Sequence, residues 1–268
     1  MTTGAWAQRI LAAQDGAMLM PRPTVQAPSF GLATAYGVAD AVRQLRMNRG
    51  ERPVGYKIGF TNRTIWPKYG VHAPIWGPVW AGTLHEAADA QAHTSLAGWV
   101  QPRLEPEIVF GWREPPRPGM SERELVDCLG WVAHGFEIVH THYDQWRFEA
   151  ADAVADGALH AGLWVGPRLP LDAFGSPAKE LAQLTLELCC DGVCVDRGQG
   201  SVVLDGPIAA LQVWLAAMYD QPHGWQVRAG DVVTTGTLTD AWPLKAGQVW
   251  TTRLNPPQLA GMTLRVLD

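Results

Sequence analysis

The chain has few charges, few cysteines and no long apolar run, and each shortage narrows what it can be. Charged residues make up 18% against 47% hydrophobic ones, which excludes a disordered or coiled-coil chain and leaves a folded globular protein. Basic residues are outnumbered. The net charge of -5 offers no basic field for a polyanion, so neither nucleic acid nor an anionic membrane is an expected partner. No run approaches the roughly 20 apolar residues a spanning helix needs, and the opening Met1-Thr2-Thr3-Gly4-Ala5-Trp6 lacks a charged segment followed by an apolar one. The expectation is a soluble, unsecreted, cytoplasmic protein. Cys128, Cys189, Cys190 and Cys194 show no C-x2-C pairing and read as buried reduced thiols. P-loops, dinucleotide fingerprints, serine-nucleophile elbows and HExxH spacings are missing too, so kinase, dehydrogenase and hydrolase readings lose their usual support.

Tryptophan, by contrast, is abundant. Thirteen of them, with 28 Gly, raise the alternative of a carbohydrate-binding β-module with aromatic platforms. Most sit inside apolar segments such as Gly162-Leu163-Trp164-Val165 and Leu211-Gln212-Val213-Trp214-Leu215, which points to core packing instead.

Two helices are expected in the first fifty residues, from Trp6, Ile10 and Leu11 and from Ala39, Val42, Leu45 and Met47 at three- and four-residue steps, with Gly50 closing the second. The Pro-rich stretch 20–28 reads as an ordered loop between them. Short strands are expected thereafter over 54–60, 107–112, 136–140, 159–165, 184–190, 193–196, 231–235, 248–254 and 262–266. Asp191-Gly192 marks a hairpin, because a type I′ turn needs positive φ at both central residues. Two further helices fit 121–131, with Ser121 and Glu124 as a capping box, and 207–219. The expected fold class is α+β, with a small helical N-terminal region (1–53) and a mixed, largely β catalytic core (54–268).

The sharpest chemical feature is Leu104-Glu105-Pro106-Glu107-Ile108-Val109-Phe110. In an extended chain Glu105 and Glu107 project from one face, and burying them unpaired beside a core segment is costly. Either they reach solvent or a cation holds them together. Glu137, in Gly135-Phe136-Glu137-Ile138-Val139, has a similar setting, and three strand carboxylates make the hard all-oxygen site that Mg2+ or Mn2+ prefers. Lys57 lies in a glycine-bracketed apolar strand, where burial is expected to lower its pKa and suit it to proton transfer; the alternative is a surface lysine. His134, His140 and His142 read as ordinary strand residues.

Taken in order, Lys57-Ile-Gly-Phe-Thr61, Gln101-Pro-Arg-Leu-Glu105-Pro-Glu107-Ile, Phe136-Glu137-Ile-Val, Ala151-Asp152-Ala-Val-Ala-Asp156 and Asp231-Val-Val-Thr-Thr235-Gly236 resemble the 2-keto-4-pentenoate hydratase and 4-oxalocrotonate decarboxylase branch of the fumarylacetoacetate hydrolase superfamily. The resemblance runs from about Val54 to the end. It implies Mg2+ or Mn2+ on Glu105, Glu107 and Glu137, completed by the carboxylate and C2 oxygen of a small 2-oxo acid or dienol, with Lys57 assisting proton transfer. It also marks Ile75, Asp156 and Thr235 as substrate contacts and implies a homo-oligomer. The implied activity is a lyase that hydrates a 2-hydroxy-2,4-dienoate to a 4-hydroxy-2-oxo acid; the alternatives are a 2-oxo acid decarboxylase and a non-enzymatic β-rich binding module. Two segments depart from the hydratases. Pro74-Ile75-Trp76-Gly77 lacks their acid and is closer to the decarboxylases' Pro-Ile-Tyr-Gly, and Gly157-Ala158-Leu159-His160 replaces an Asn-Ala-Ser run.

Overall fold

The apolar periodicity of the first fifty residues does fold into helices, α1 (Thr3–Gly16) and α3 (Leu32–Asn48). Thr2 caps the first through its hydroxyl, which accepts the Ala5 N–H. The computed structural model describes residues 1–267; Asp268, the last residue of the expected core, lies outside the described residues. The Pro-rich connection is not all loop, because Pro23 at its first position starts a one-turn helix, α2 (Pro23–Gln26). Tryptophan and tyrosine from this region, Trp6 and Tyr36, join Ile58, Phe110, Trp214 and Trp250 in one apolar core. None of the thirteen tryptophans is exposed, as core packing predicts.

Thirteen strands follow: β1 (Pro53–Gly59), β2 (Ile75–Trp80), β3 (Leu84–Glu86), β4 (Gln91–Thr94), β5 (Arg103–Trp112), β6 (Leu129–Val139), β7 (His160–Val165), β8 (Thr185–Cys190), β9 (Val193–Gln199), β10 (Val232–Thr237), β11 (Trp242–Pro243), β12 (Val249–Asn255) and β13 (Thr263–Val266). The remaining helices are α4 (Trp66–Tyr69), α5 (Glu122–Cys128), α6 (Ala150–Ala155), α7 (Pro177–Gln183) and α8 (Pro207–Tyr219). The larger sheet runs β2-β1-β10-β5-β6-β7-β3, with β11 also paired to β5; the smaller runs β4-β13-β12-β8-β9. The β8–β9 hairpin turns at Asp191 and Gly192, whose φ values of 50° and 81° match the expected turn.

Several boundaries differ from the expectation. The capping box at Ser121 is present, but its helix stops at Cys128, and Leu129 through Trp131 already belong to β6. Strand β5 starts four residues before Glu107, at Arg103, and carries Pro106 within it. Cys194 is exposed and Cys190 half-buried, so only Cys128 and Cys189 are buried thiols. The stretch Gly200–Tyr219 has the length and apolarity of a spanning helix, contrary to the expectation of no such run, and 56% of its most apolar window is buried. It serves here as core, with Leu211 and Trp214 fully enclosed.

Candidate metal centre and active-site cavity

Four neighbouring strands of the larger sheet build the site. Alternation puts Glu105 and Glu107 on one face of β5, and the antiparallel register sets Glu105 directly opposite Glu137 of β6. On the other side, β10 joins β5 to β1, where Lys57 pairs with Thr234. A bulge in β10 between Thr234 and Thr237 turns the Gly236 N–H toward Glu107, whose Oε2 accepts it at 2.7 Å. Gly236 has φ 100°, and a Cβ there would overlap Thr61 Oγ1, so the position admits only glycine without rearrangement.

One carboxylate oxygen from each of Glu105, Glu107 and Glu137 lies within 4.8 Å of the others. Like charges directly opposite on a sheet repel, and burial strengthens the repulsion. Glu107 and Glu137 are fully buried, and Glu107 Oε1 has no hydrogen-bond partner. The Lys57 ammonium, itself buried, stands 3.5 Å from Glu137 Oε2 and 3.9 Å from Glu105 Oε2. Three carboxylates against one ammonium leave two negative charges unbalanced, the charge of one divalent cation. The oxygen donor set, the orphaned Glu107 oxygen and the charge deficit all fit such an ion.

Protonation follows from the same geometry. Burial, then the neighbouring carboxylates, push Glu107 well above the usual carboxylate range. Burial raises Glu105 to about 7, opposed by the Lys57 charge. For Glu137 burial is outweighed by Lys57 and His160, which hold its carboxyl low. Lys57 does not behave as the sequence suggests: burial works against its charge, but Glu137, Glu105 and Glu107 together hold its pKa above the ordinary lysine value. The carboxylates around it reverse the effect of its apolar strand.

His160, the first residue of β7, was not among the expected site residues. Its Nδ1 meets Glu137 Oε1 at 2.8 Å and its Nε2 meets Thr83 Oγ1 at 2.8 Å, so the ring orients the carboxylate from behind. Only the register of β6 on β7 brings them together, and no local pattern signals it. His134 does lie in β6, buried, and bonds the Glu107 carbonyl and Thr252 Oγ1; burial lowers it to about 4. His140 and His142 follow the strand rather than lying in it.

A cavity of about 260 Å³ opens over Lys57 and Glu105, walled by Ile75, Phe148, Leu159 and Gly236. Ile75 borders the lysine: a Cβ built on Gly59 would lie 3.5 Å from both Ile75 Cγ1 and Lys57 Nζ. Ala158 and Leu159 reach the cavity through backbone held at φ 55° and 69°, a region non-glycine residues seldom adopt. Asp156 and Thr235, expected at the substrate, do not line it. Asp156 is buried behind the site, bonded by His142 Nδ1 at 2.8 Å and Gln14 Nε2 at 3.2 Å. Thr235 donates to the Ile108 carbonyl; alternation turns its neighbour Thr234 toward Glu137 instead.

No family model matches the chain. Curated relatives do. The chain is 30% identical over 242 residues to a 4-oxalocrotonate decarboxylase of Pseudomonas sp, covering 89% of this chain and 90% of that protein. It is 31% identical to the 2-hydroxyhexa-2,4-dienoate hydratase of Comamonas testosteroni, covering 90% and 89%. Among solved structures, the 4-oxalocrotonate decarboxylase from Pseudomonas putida G7, complexed with magnesium and adipate, superposes with a TM-score of 0.90 at 23% identity over 99% of this chain and 97% of that one. Fumarylpyruvate hydrolase from Pseudomonas aeruginosa, in complex with Mn2+ and pyruvate, superposes with 0.60 at 16% identity over 81% and 90%. With this sequence likeness over nine-tenths of its length, and with the fold to match, the chain belongs to the 2-keto-4-pentenoate hydratase and 4-oxalocrotonate decarboxylase family.

Proposed function

We propose that the chain is a divalent-metal-dependent lyase acting on a small 2-oxo acid or its 2-hydroxy-2,4-dienoate tautomer, with Glu105, Glu107 and Glu137 as ligands of Mg2+ or Mn2+ and Lys57 as the proton-transfer residue. The observation that carries the reading is the clustering of three carboxylates, Glu107 and Glu137 buried and Glu105 half-buried, with the Lys57 ammonium, Glu105 and Lys57 lining a cavity. A divalent cation held there supplies a Lewis acid toward the substrate's carboxylate and C2 oxygen, where enolate charge develops. A divalent cation would offset the surplus negative charge that Lys57 leaves on the three carboxylates, and His160 keeps Glu137 oriented for it. Lys57 sits between this cluster and the cavity, placed to pass a proton to or from the substrate carbon skeleton as the dienol becomes the ketone. Phe148, Leu159 and Ile75 limit water around it.

Relatives are named for both fates of such a dienol system, hydration and decarboxylation. Hydration to a 4-hydroxy-2-oxo acid is the first reading. Decarboxylation is favoured by one observation, the apolar Ile75 beside Lys57, which offers no hydrogen bond to orient a water. The reading includes a cytoplasmic homo-oligomer, whose assembly sedimentation would measure. The direct test is to incubate the Mn2+-loaded protein with short 2-hydroxydienoates and 2-oxo-enedioates and identify products by NMR. Consumption that stops on chelation supports the lyase; none with any compound refutes it. In the same assay Ile75→Asp is expected to raise the ratio of hydrated to decarboxylated product, with fold and Mn2+ affinity checked in parallel. A variant that instead loses an efficient parental hydration would show that another residue positions the water.

A further inference from the structure

The smaller sheet carries a pair of thiols that the proposed chemistry does not use. In the β8–β9 hairpin Cys189 lies directly opposite Cys194, so both side chains leave the same face of the sheet. Asp191 and Gly192 form a two-residue turn, and such a turn closes on a hydrogen-bonded pair, here Cys190 and Val193. The next pair out, Cys189 with Cys194, is then of the non-hydrogen-bonded kind, whose Cα atoms approach to about 4.5 Å. That spacing falls within the roughly 4.4–6.8 Å a disulfide spans. Alternation sends Cys190 to the other face. Cys194 is exposed and Cys189 buried, so a reagent from solvent meets Cys194 first. The hairpin is also joined to the active-site cavity. Its register slips just beyond this pair, leaving Val195 as an extra residue between Cys194 and Asp196. Asp196 Oδ2 accepts the Asp240 N–H at 3.1 Å and the Trp242 indole N–H at 2.8 Å, and Thr239, Asp240 and Ala241 border the cavity. Farther along β9, Gly198 packs so closely on the same segment that a Cβ there would overlap the Leu238 carbonyl.

We propose that Cys189 and Cys194 are a redox modification site: a low-molecular-weight disulfide converts them to a reversible cross-strand disulfide, which stiffens the rim of the cavity at 239–242 through Asp196. The Cys194 thiolate attacks one sulfur of the small disulfide, whose S–S bond breaks and releases one thiol. The Cys189 thiolate then attacks the Cys194 sulfur of the mixed disulfide and displaces the second. One S–S bond forms in the protein as one breaks in the reagent, two electrons pass to the reagent, and the two protein thiol protons end on the two released thiols. Burial pushes the Cys189 thiol up, which suits it to the second, intramolecular attack rather than the first. The hairpin already holds the two residues opposite each other, so the second step needs no rearrangement of the sheet. Once joined, Cys194 is fixed to β8, and with it the start of the bulge that leads to Asp196.

The test exposes the folded protein, with Mn2+ present, to glutathione disulfide, blocks the remaining thiols with iodoacetamide and reads the tryptic peptide 180–197, which holds all three cysteines of the hairpin, by mass spectrometry. The parent and Cys190→Ser are expected to lose two hydrogens within this peptide and to retain no glutathione. Cys189→Ser should instead accumulate one glutathione on Cys194, and Cys194→Ser should show neither product. Oxidation of the parent should slow hydrogen exchange of the Asp240 amide and the Trp242 indole N–H by about threefold or more, with recovery on adding dithiothreitol and no change in Cys189→Ser. A lasting glutathione adduct on the parent, a disulfide that is lost in Cys190→Ser, or no oxidation at all overturns the pairing. A Cys189–Cys194 disulfide that leaves both exchange rates as they were overturns the link to the cavity rim.

Discussion

Two groups of buried acids lie close together in this molecule and have been finished differently. Behind the cavity, Asp152 Oδ1 accepts the Thr24 N–H at 2.9 Å, and its Oδ2 accepts the Thr24 hydroxyl at 2.7 Å and the Glu149 N–H at 2.9 Å. Asp156 is likewise bonded on both oxygens, by Gln14 and by the His142 ring and backbone. These acids tie α2 and α1 to α6, and every oxygen has a protein donor. At the cavity floor Glu107 keeps one oxygen without any partner, and Glu105 and Glu137 face each other across two strands. A buried carboxylate that the protein satisfies is a fastening; one that it leaves incomplete is a ligand in waiting.

The largest expected effect that separates the two groups is on rate. Lys57→Ala should lower turnover by about 10²- to 10⁴-fold, the usual worth of a positioned acid or base, while Mn2+ affinity changes far less. Unchanged turnover in a folded variant would remove Lys57 from the chemistry. In the other group, Asp156→Ala or Asp152→Ala should act on stability instead. Asp152→Ala strands three donors and should cost about 2–4 kcal/mol, with or without metal, as read by urea denaturation. Glu107→Gln, by contrast, should leave metal-free stability unchanged or raised, because the amide keeps an oxygen for the Gly236 N–H and removes a buried acid whose other oxygen has no partner; a loss as large as that of Asp152→Ala would erase the distinction.

A smaller effect concerns pH. Glu105 titrates at about 7 in the metal-free fold against an ordinary value of 4.5, so between those values the unfolded chain loses a proton that the folded one keeps. Metal-free stability should therefore fall as pH rises from about 4.5 to 7, and Glu107, also raised by burial and its neighbouring carboxylates, acts in the same sense. Glu137, held low, acts in the opposite sense only below 4.5. Saturating Mn2+ should flatten or reverse the slope, since the cation binds the deprotonated carboxylates. Denaturation midpoints measured across this range, with and without Mn2+, would show it; a metal-free protein that stabilises as pH rises to 7 contradicts the assignment of the shifts.

Much of the site was readable because strand alternation is local. It placed Glu105 and Glu107 on one face before any fold was known, and it isolated Glu137 from Phe136 and Ile138. The resemblance then brought these segments together with Lys57. What failed depends on partners distant in sequence. Lys57 was expected to have a lowered pKa from its apolar strand, yet the carboxylates delivered by β5 and β6 raise it. His160 gained its role from the β6–β7 register, and Gly236 from a bulge that no composition signal marks. Thr235, expected at the substrate, gives its hydroxyl to the Ile108 carbonyl, while alternation turns Thr234 on the opposite face toward Glu137. The early start of β5 was hidden by Pro106, whose carbonyl accepts the Leu238 N–H while its missing donor leaves the neighbouring pairing intact.

The central claim is that Glu105, Glu107 and Glu137 hold one divalent cation. It is tested most directly by calorimetric titration of Mn2+ into the chelator-treated protein in two buffers of different ionisation enthalpy. The account predicts one site per chain, proton release on binding, tighter binding at pH 8 than at pH 6, and no detectable binding in Glu107→Gln. Equal Mn2+ affinity in the parent and Glu107→Gln would contradict it.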